Sequence, residues 1–264
     1  MKNVIVLGSG NVASHLISFI EVSNDLNLVQ IYARNSNNVN ISIDKSLITN
    51  DFKQIREADI YIIAVSDNSI AEVSEKLPFD NRLVVHTSGS AELTTLNSKN
   101  RRGVLYPLQT FSKNKKVDFS EIPFCLETEF ESDFQNIQNF AQKFSTKVYQ
   151  ISSEQRKYIH VTAVFVSNFT NHMFAIGNEI CKENEIPFEI FKPLIQETVN
   201  KIADLEPVLA QTGPAVRDDT NTIKKPNIKN LLKPSLPPLY PINRGNATGF
   251  HIFVWSQVVK SLYN

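Results

Sequence analysis

Four short runs rich in Val and Ile recur along the first part of this chain, at residues 3–8, 28–34, 59–66 and 82–89. Stretches of helical character, 11–22, 51–58 and 68–77, separate them. Apolar runs of about four to eight residues read as buried strands. Strand and helix in such alternation fold as a parallel sheet with helices on both faces. The pattern continues through strand-like segments within 103–129, a helical stretch at 130–144 and a last strand at 147–152. The sheet domain is therefore expected to span residues 1–152.

The remainder has another character. From Ser153 to Glu183 there is no proline, and Gly177 is the only glycine, so a long helix is expected, capped by Ser152 or Ser153. A second helical stretch covers 186–211, with Pro193 and Pro207 placed to kink or divide it. Six of the twelve prolines then fall between 214 and 241, and no helical period survives there. A mainly helical domain over 153–264 follows, with 226–264 atypical.

Composition narrows the function classes. The chain has 264 residues, 42% of them hydrophobic, and 27 basic residues balance 27 acidic ones. An excess of positive charge, the usual mark of nucleic-acid or membrane-surface binding, is missing, so neither partner is expected. The two cysteines, Cys125 and Cys181, form neither a disulfide framework nor a metal knuckle and suit a reducing cytoplasm. No apolar run reaches the length of a membrane span, and Val4–Leu7 is too short for a signal-peptide core.

The hand-over from the first strand to the first helix reads Gly8-Ser9-Gly10-Asn11-Val12-Ala13, a G-x-G-x-x-A pattern. Gly8 permits the tight turn, Gly10 lets backbone approach a pyrophosphate, and Ala13 lets the helix pack close to the strand. The anion would rest on the helix N-terminus, where free N–H groups and the dipole favour it. A turn in a doubly wound sheet that binds nothing is the plain alternative. The second strand ends in Arg34-Asn35-Ser36 rather than in an acid. A guanidinium with amide and hydroxyl donors suits the 2′-phosphate of NADP better than the ribose hydroxyls of NAD. The third strand ends at Val65-Ser66-Asp67 and the fourth at His86-Thr87-Ser88-Gly89-Ser90. Ligands gather at such ends. The serines are also ordinary helix caps. His86 is either a proton donor near the reactive end of a nicotinamide or a satisfied structural histidine.

The long helix carries His160, Ser167, Asn168, Asn171 and His172 within an apolar stretch. His160, Ser167 and Asn171 share one stripe at about 100° per residue, with Asn168 beside it. Buried polar groups need partners. A ligand and a second copy of the chain both fit. His160 and His172 lack the spacing and the acid of a zinc site, and no metal is expected. Leu209–Thr220 turns through Gly213-Pro214 and presents Arg217 beside Asp218 and Asp219. Arg217 suits a substrate carboxylate or phosphate.

Together GSGNVASH, AVSDNSI, HTSGS, YPLQTFS, HVTAVFVSNFTNHMF and QTGPAVRDDT resemble a little-characterised family of Rossmann-like proteins with a helical C-terminal domain of unknown function. The fold is similar to pyrroline-5-carboxylate reductase and ketopantoate reductase. The resemblance covers about 1–225 and departs after Thr222, where Pro226 interrupts the helix expected there. It implies an NAD(P)-binding first domain, a helical domain that forms a homodimer, and a cleft between the two. It also implies roles for His86 and Gln109, His160 and Asn168, and Thr212 and Arg217. The expected activity is hydride transfer between NADP, or less readily NAD, and a small polar carbonyl or imine compound, with His160 or His86 as proton donor. The rival expectation is a dinucleotide-binding sensor or scaffold without turnover.

Overall fold

The computed structural model describes residues 1–35, 39, 43–113 and 115–213. Chain contacts divide it into two compact units, Met1–Ser167 and Asn168–Asn264.

The first unit holds an eight-stranded sheet: β1 (Lys2–Leu7), β2 (Leu26–Tyr32), β3 (Ile48–Thr49), β4 (Ile60–Ile63), β5 (Leu83–His86), β6 (Arg101–Pro107), β7 (Phe124–Thr128) and β8 (Val148–Gln150). The spatial order is β3-β2-β1-β4-β5-β6-β7-β8. Pairing is parallel from β3 through to β6; β7 then runs antiparallel to β6 and parallel to β8. The expected α/β class holds, with an antiparallel step at its far side. The order reverses at β1, which has β2 on one side and β4 on the other. Such a switch point opens a crevice beyond the C-terminal strand ends.

Alternation along β1 makes the sheet two-sided. Val4 and Val6 join one apolar cluster with Ala13, Leu16, Ile17 and Ile20 of α1 (Asn11–Val22) and Ile137 and Phe140 of α3 (Glu131–Ala141). Ile5 and Leu7 join a second cluster with Ile70 and Val73 of α2 (Asp67–Glu75). The α1 positions fall at i, i+3, i+4 and i+7, one stripe of a helix facing the sheet.

Residues 51–58 do not form the helix expected of them. Only Phe52–Gln54 makes a 3₁₀ turn, capped by the Asp51 side chain on the Lys53 N–H at 2.9 Å. The buried Gln30 side chain takes the next backbone groups: its amide donates to the Gln54 carbonyl (3.0 Å) and its oxygen accepts from the Arg56 N–H (2.9 Å). With those groups engaged, the i to i−4 ladder of a helix does not propagate. The two-residue β3 strand is too short to show as a periodic run.

The backbone stays helical from Ser153 to Glu183, as α4 (Ser153–Ala163), a π-helical turn at Val164–Phe169 and α5 (Thr170–Glu183). Ser152 and Gln155 form a reciprocal capping box at its start. In the second unit α6 (Lys192–Asp204) and α7 (Pro207–Ala210) follow, each with proline in its first turn. There proline starts a helix at no cost in hydrogen bonds.

Candidate functional site

A cleft of about 840 Å³ lies at the switch point of the sheet in the first unit. Its floor is the turn from β1 into α1. Gly8 has φ +143°, and a Cβ there would stand 2.1 Å from the Ala64 carbonyl oxygen. Only glycine lets β1 turn this close to the end of β4. At Gly10 an added Cβ would meet nothing within 4 Å. Gly10 caps α1 without a side chain, and Ser66 caps α2 without a side-chain cap bond. First-turn N–H groups of a helix have no intrahelical acceptor, so both helix starts keep donors for an anion.

The lining gathers Gly8, Ser9, Gly10, Asn11, Val12, Arg34, Asn35, Val65, Ser66, Gln109 and His160, all expected from the sequence. It also includes Tyr32, Phe52, Asp67, Glu72, Lys76 and Phe111. Tyr32 and Phe52 stack with ring centroids 4.1 Å apart. Among the described residues, no group of His, Cys, Asp and Glu is placed to hold a metal ion.

The family model for a domain of unknown function, DUF2520, matches residues 122–244. A candidate NADP oxidoreductase from Bacteroides fragilis shares 37% identity, over 84% of this chain and 88% of that one, with a TM-score of 0.74. The chain belongs to this family of Rossmann-like NAD(P)-binding proteins with a helical C-terminal domain. Two further structures share its fold. A protein from Thermotoga maritima is 20% identical, over 83% of this chain and 86% of that one, with a TM-score of 0.66. The 1-pyrroline-5-carboxylate reductase of Streptococcus pyogenes is 13% identical, over 85% and 86%, with a TM-score of 0.60. A search of curated proteins finds no match. The DUF2520 match runs past Thr222, so that family's domain extends into the segment where the sequence pattern departs.

The two histidines of the first unit expected to act in the site, His86 and His160, sit differently. His86 has no exposed surface and does not line the cleft. Its Nδ1 accepts the Ser88 N–H at 3.2 Å, so the ring proton sits on Nε2, which donates to the Glu92 carbonyl at 3.3 Å. Burial, reinforced by the Arg156 charge, lowers its pKa from 6.5 to about 4 and keeps it neutral. The Ser88 hydroxyl accepts from the Ser90 and Ala91 N–H groups at 3.1 and 3.0 Å. The end of β5 is thus bonded to itself, and His86 has the structural role weighed against catalysis.

His160 reaches the cleft from α4. A Cβ on Gly89 would stand 2.9 Å from its Nδ1 and 2.8 Å from the Tyr106 hydroxyl, so the absence of that atom lets both side chains close on the turn. Burial, then the neighbouring Cys125, pushes the Tyr106 phenol up to about 12, so it stays protonated. Ser90 donates to Asp67 at the rim of the same end.

Arg156 carries the support of this end and is not an obvious site residue in the sequence. It is 1% exposed, pairs with Glu127 of β7, and donates to the Ala91 carbonyl at 2.6 Å. Ser153 donates to the same carboxylate at 2.8 Å, and Lys157 pairs with Glu92 at 2.6 Å. The first turns of α4 are thereby tied to the turn after β5, which sets where His160 stands. A charged residue in a solvated first helical turn gives no sequence signal of burial; only the acid on a distant strand explains it.

The Asn11 side chain donates to the Phe111 carbonyl at 3.0 Å. Gln109 accepts from the Thr110 N–H at 2.8 Å. Asn168 and Thr212 belong to the second unit, Asn168 on the π-helical turn and Thr212 exposed near the end of the described chain. Ser36 and Arg217 lie outside the described residues, as does the Pro226 region.

Proposed function

We propose that the protein is an NADP-dependent oxidoreductase acting on a small polar carbonyl or imine compound. The observation that carries this reading is the single cleft lining. It runs from Arg34, past Gly8–Val12 and the start of α2, to His160 and Gln109. An elongated dinucleotide fits such a sequence of groups: a cation for a phosphate, bare helix starts for a pyrophosphate, and a proton-bearing side chain at the far end. Gly10 offers the space that a pyrophosphate needs against the backbone.

Gly8–Val12 and the first N–H groups of α1 and α2 would hold the phosphates, and Arg34 the ribose end. When bound in reduced form, the nicotinamide supplies a hydride. The chain supplies the proton. His160 delivers it to the substrate oxygen or nitrogen, and the neighbouring Tyr106 hydroxyl remains a neutral donor at working pH. Gln109 lines the same cleft with its oxygen held by the Thr110 N–H, and its amide nitrogen would orient a polar substrate.

Calorimetric titration with NADPH and NADH tests the first half; absence of binding at millimolar concentration of either would remove the proposal. Cofactor oxidation across keto acids, aldehydes and imines tests the second half, with turnover expected on at least one class.

We also propose that the helical unit pairs with a second copy of the chain. Leu194 is 62% exposed, Ile202 53% and Val208 83%, and α6 buries none of its residues. Apolar exposure on this scale marks an interaction surface. Light scattering at micromolar concentration should give twice the chain mass, and a monomer would rule the pairing out.

A further inference from the structure

Beyond Arg34, the cleft holds a charged pair that the fingerprint does not anticipate. Lys76 is the C-terminal cap residue of α2, and its Nζ lies 2.5 Å from Glu72 Oε1 one turn earlier. Lys76 and Glu72 line the cleft together with Arg34, Tyr32, Phe52 and Val73. The Arg34 charge acts on both members of the pair and on the Tyr32 phenol. Two cations and one acid thus converge beside the stacked Tyr32 and Phe52 rings.

The pair is half-exposed on both sides, 52% and 60%. An exposed i, i+4 pair adds little to a helix, so exchanging its partner costs little. A phosphate monoester carries close to two negative charges at neutral pH and outcompetes one carboxylate for an ammonium. A ribose with a free 2′-hydroxyl offers no such charge, and a carboxylate is its natural acceptor.

We infer that Lys76 and Glu72 set the choice between NADP and NAD. Lys76 leaves Glu72 to join Arg34 on a 2′-phosphate, and Glu72 holds the lysine in place when that phosphate is absent and weighs against it when present. This rests on the reading of the cleft as a dinucleotide site. It adds two specificity-determining residues from α2 to the arginine at the end of β2.

The test is a set of dissociation constants for NADPH, NADH and 2′,5′-ADP, measured by fluorescence titration on the wild type, Lys76→Gln and Glu72→Gln. Lys76→Gln should weaken NADPH and 2′,5′-ADP about tenfold and leave NADH within about twofold. Glu72→Gln should tighten NADPH and 2′,5′-ADP by about threefold and should not tighten NADH. The NADPH constant should rise more steeply with salt in the wild type than in Lys76→Gln. Equal changes for NADPH and NADH, or none in either variant, would overturn the assignment while leaving the cleft reading intact. Failure of the wild type to bind any of the three would instead overturn the cleft reading itself. Circular dichroism should show that the exposed substitutions leave the fold unchanged.

Discussion

At the end of β1 the chain turns through Gly8-Ser9-Gly10, and at the end of β5 through Thr87-Ser88-Gly89-Ser90. Both turns lie at C-terminal strand ends, and both carry glycine and serine. After β1 the helix start is bare, and Gly10 faces open space. After β5 the polar groups satisfy one another through His86 and Ser88, and a histidine from α4 closes over the turn. Both turns line the cleft; the first keeps donors over for a ligand, and the second spends its donors on its own support. The same residue types serve either purpose; what differs is which neighbours reach them.

The largest expected effect comes from filling the first turn. Gly8→Val combines a positive φ with a Cβ on top of the Ala64 carbonyl, and backbone cannot move aside. The loss should reach about 3 kcal/mol or more in denaturant unfolding, with NADPH binding lost alongside. A stable Gly8→Val protein would break the claim that this turn is built by sterics.

The β5 turn should respond through pH. His86 keeps a folded pKa of about 4 against an ordinary 6.5. As pH falls between those values the unfolded chain binds a proton that the folded chain refuses, so stability falls by up to about 3 kcal/mol across that window. Well above pH 6.5 the group contributes no slope. His86→Leu should flatten this dependence and strand the Ser88 N–H, at a cost of about 1–3 kcal/mol. Chemical unfolding at pH 4.5 and 7.5 on both proteins reads it, and an unchanged slope would show that another group titrates.

His160→Ala sharpens the contrast between the two histidines. Turnover should fall about 100-fold, while NADPH affinity stays within about twofold. Full activity in this variant would return proton donation to another group, with Tyr106→Phe the next variant to measure. The smallest effect belongs to Gly10→Ala, which adds a methyl into open space. Stability should change by less than about 1 kcal/mol, while NADPH binding weakens about tenfold. Loss of stability without loss of affinity would mean that Gly10 serves the helix cap alone.

Much of the cleft was legible along the chain because its parts are local. The glycine fingerprint and the serine at the start of α2 depend on neighbours within one turn. Arg34 follows from its place after a strand. His160 was visible as a polar group in an apolar stretch. Glu72 and Lys76 were not, since an i, i+4 pair on a helix looks like a solvated face. The buried Arg156 was not visible either, because its partner Glu127 lies on another strand. Residues 51–58 misread as a helix for the same reason: Gln30, far away in sequence, takes the backbone groups that a helix would use.

By itself the sequence determined the alternation of strands and helices, the site of the first tight turn and the long helix from Ser153, since periodicity and glycine sterics act over a few residues. Tertiary structure alone decided the strand order with its switch point, the antiparallel β7, the inward ring of His86 against the cleft-lining ring of His160, and the convergence of Lys76 on Arg34. Those depend on which distant groups meet, and hydrogen-bond satisfaction and charge pairing across the fold carry no signature within a short window of residues.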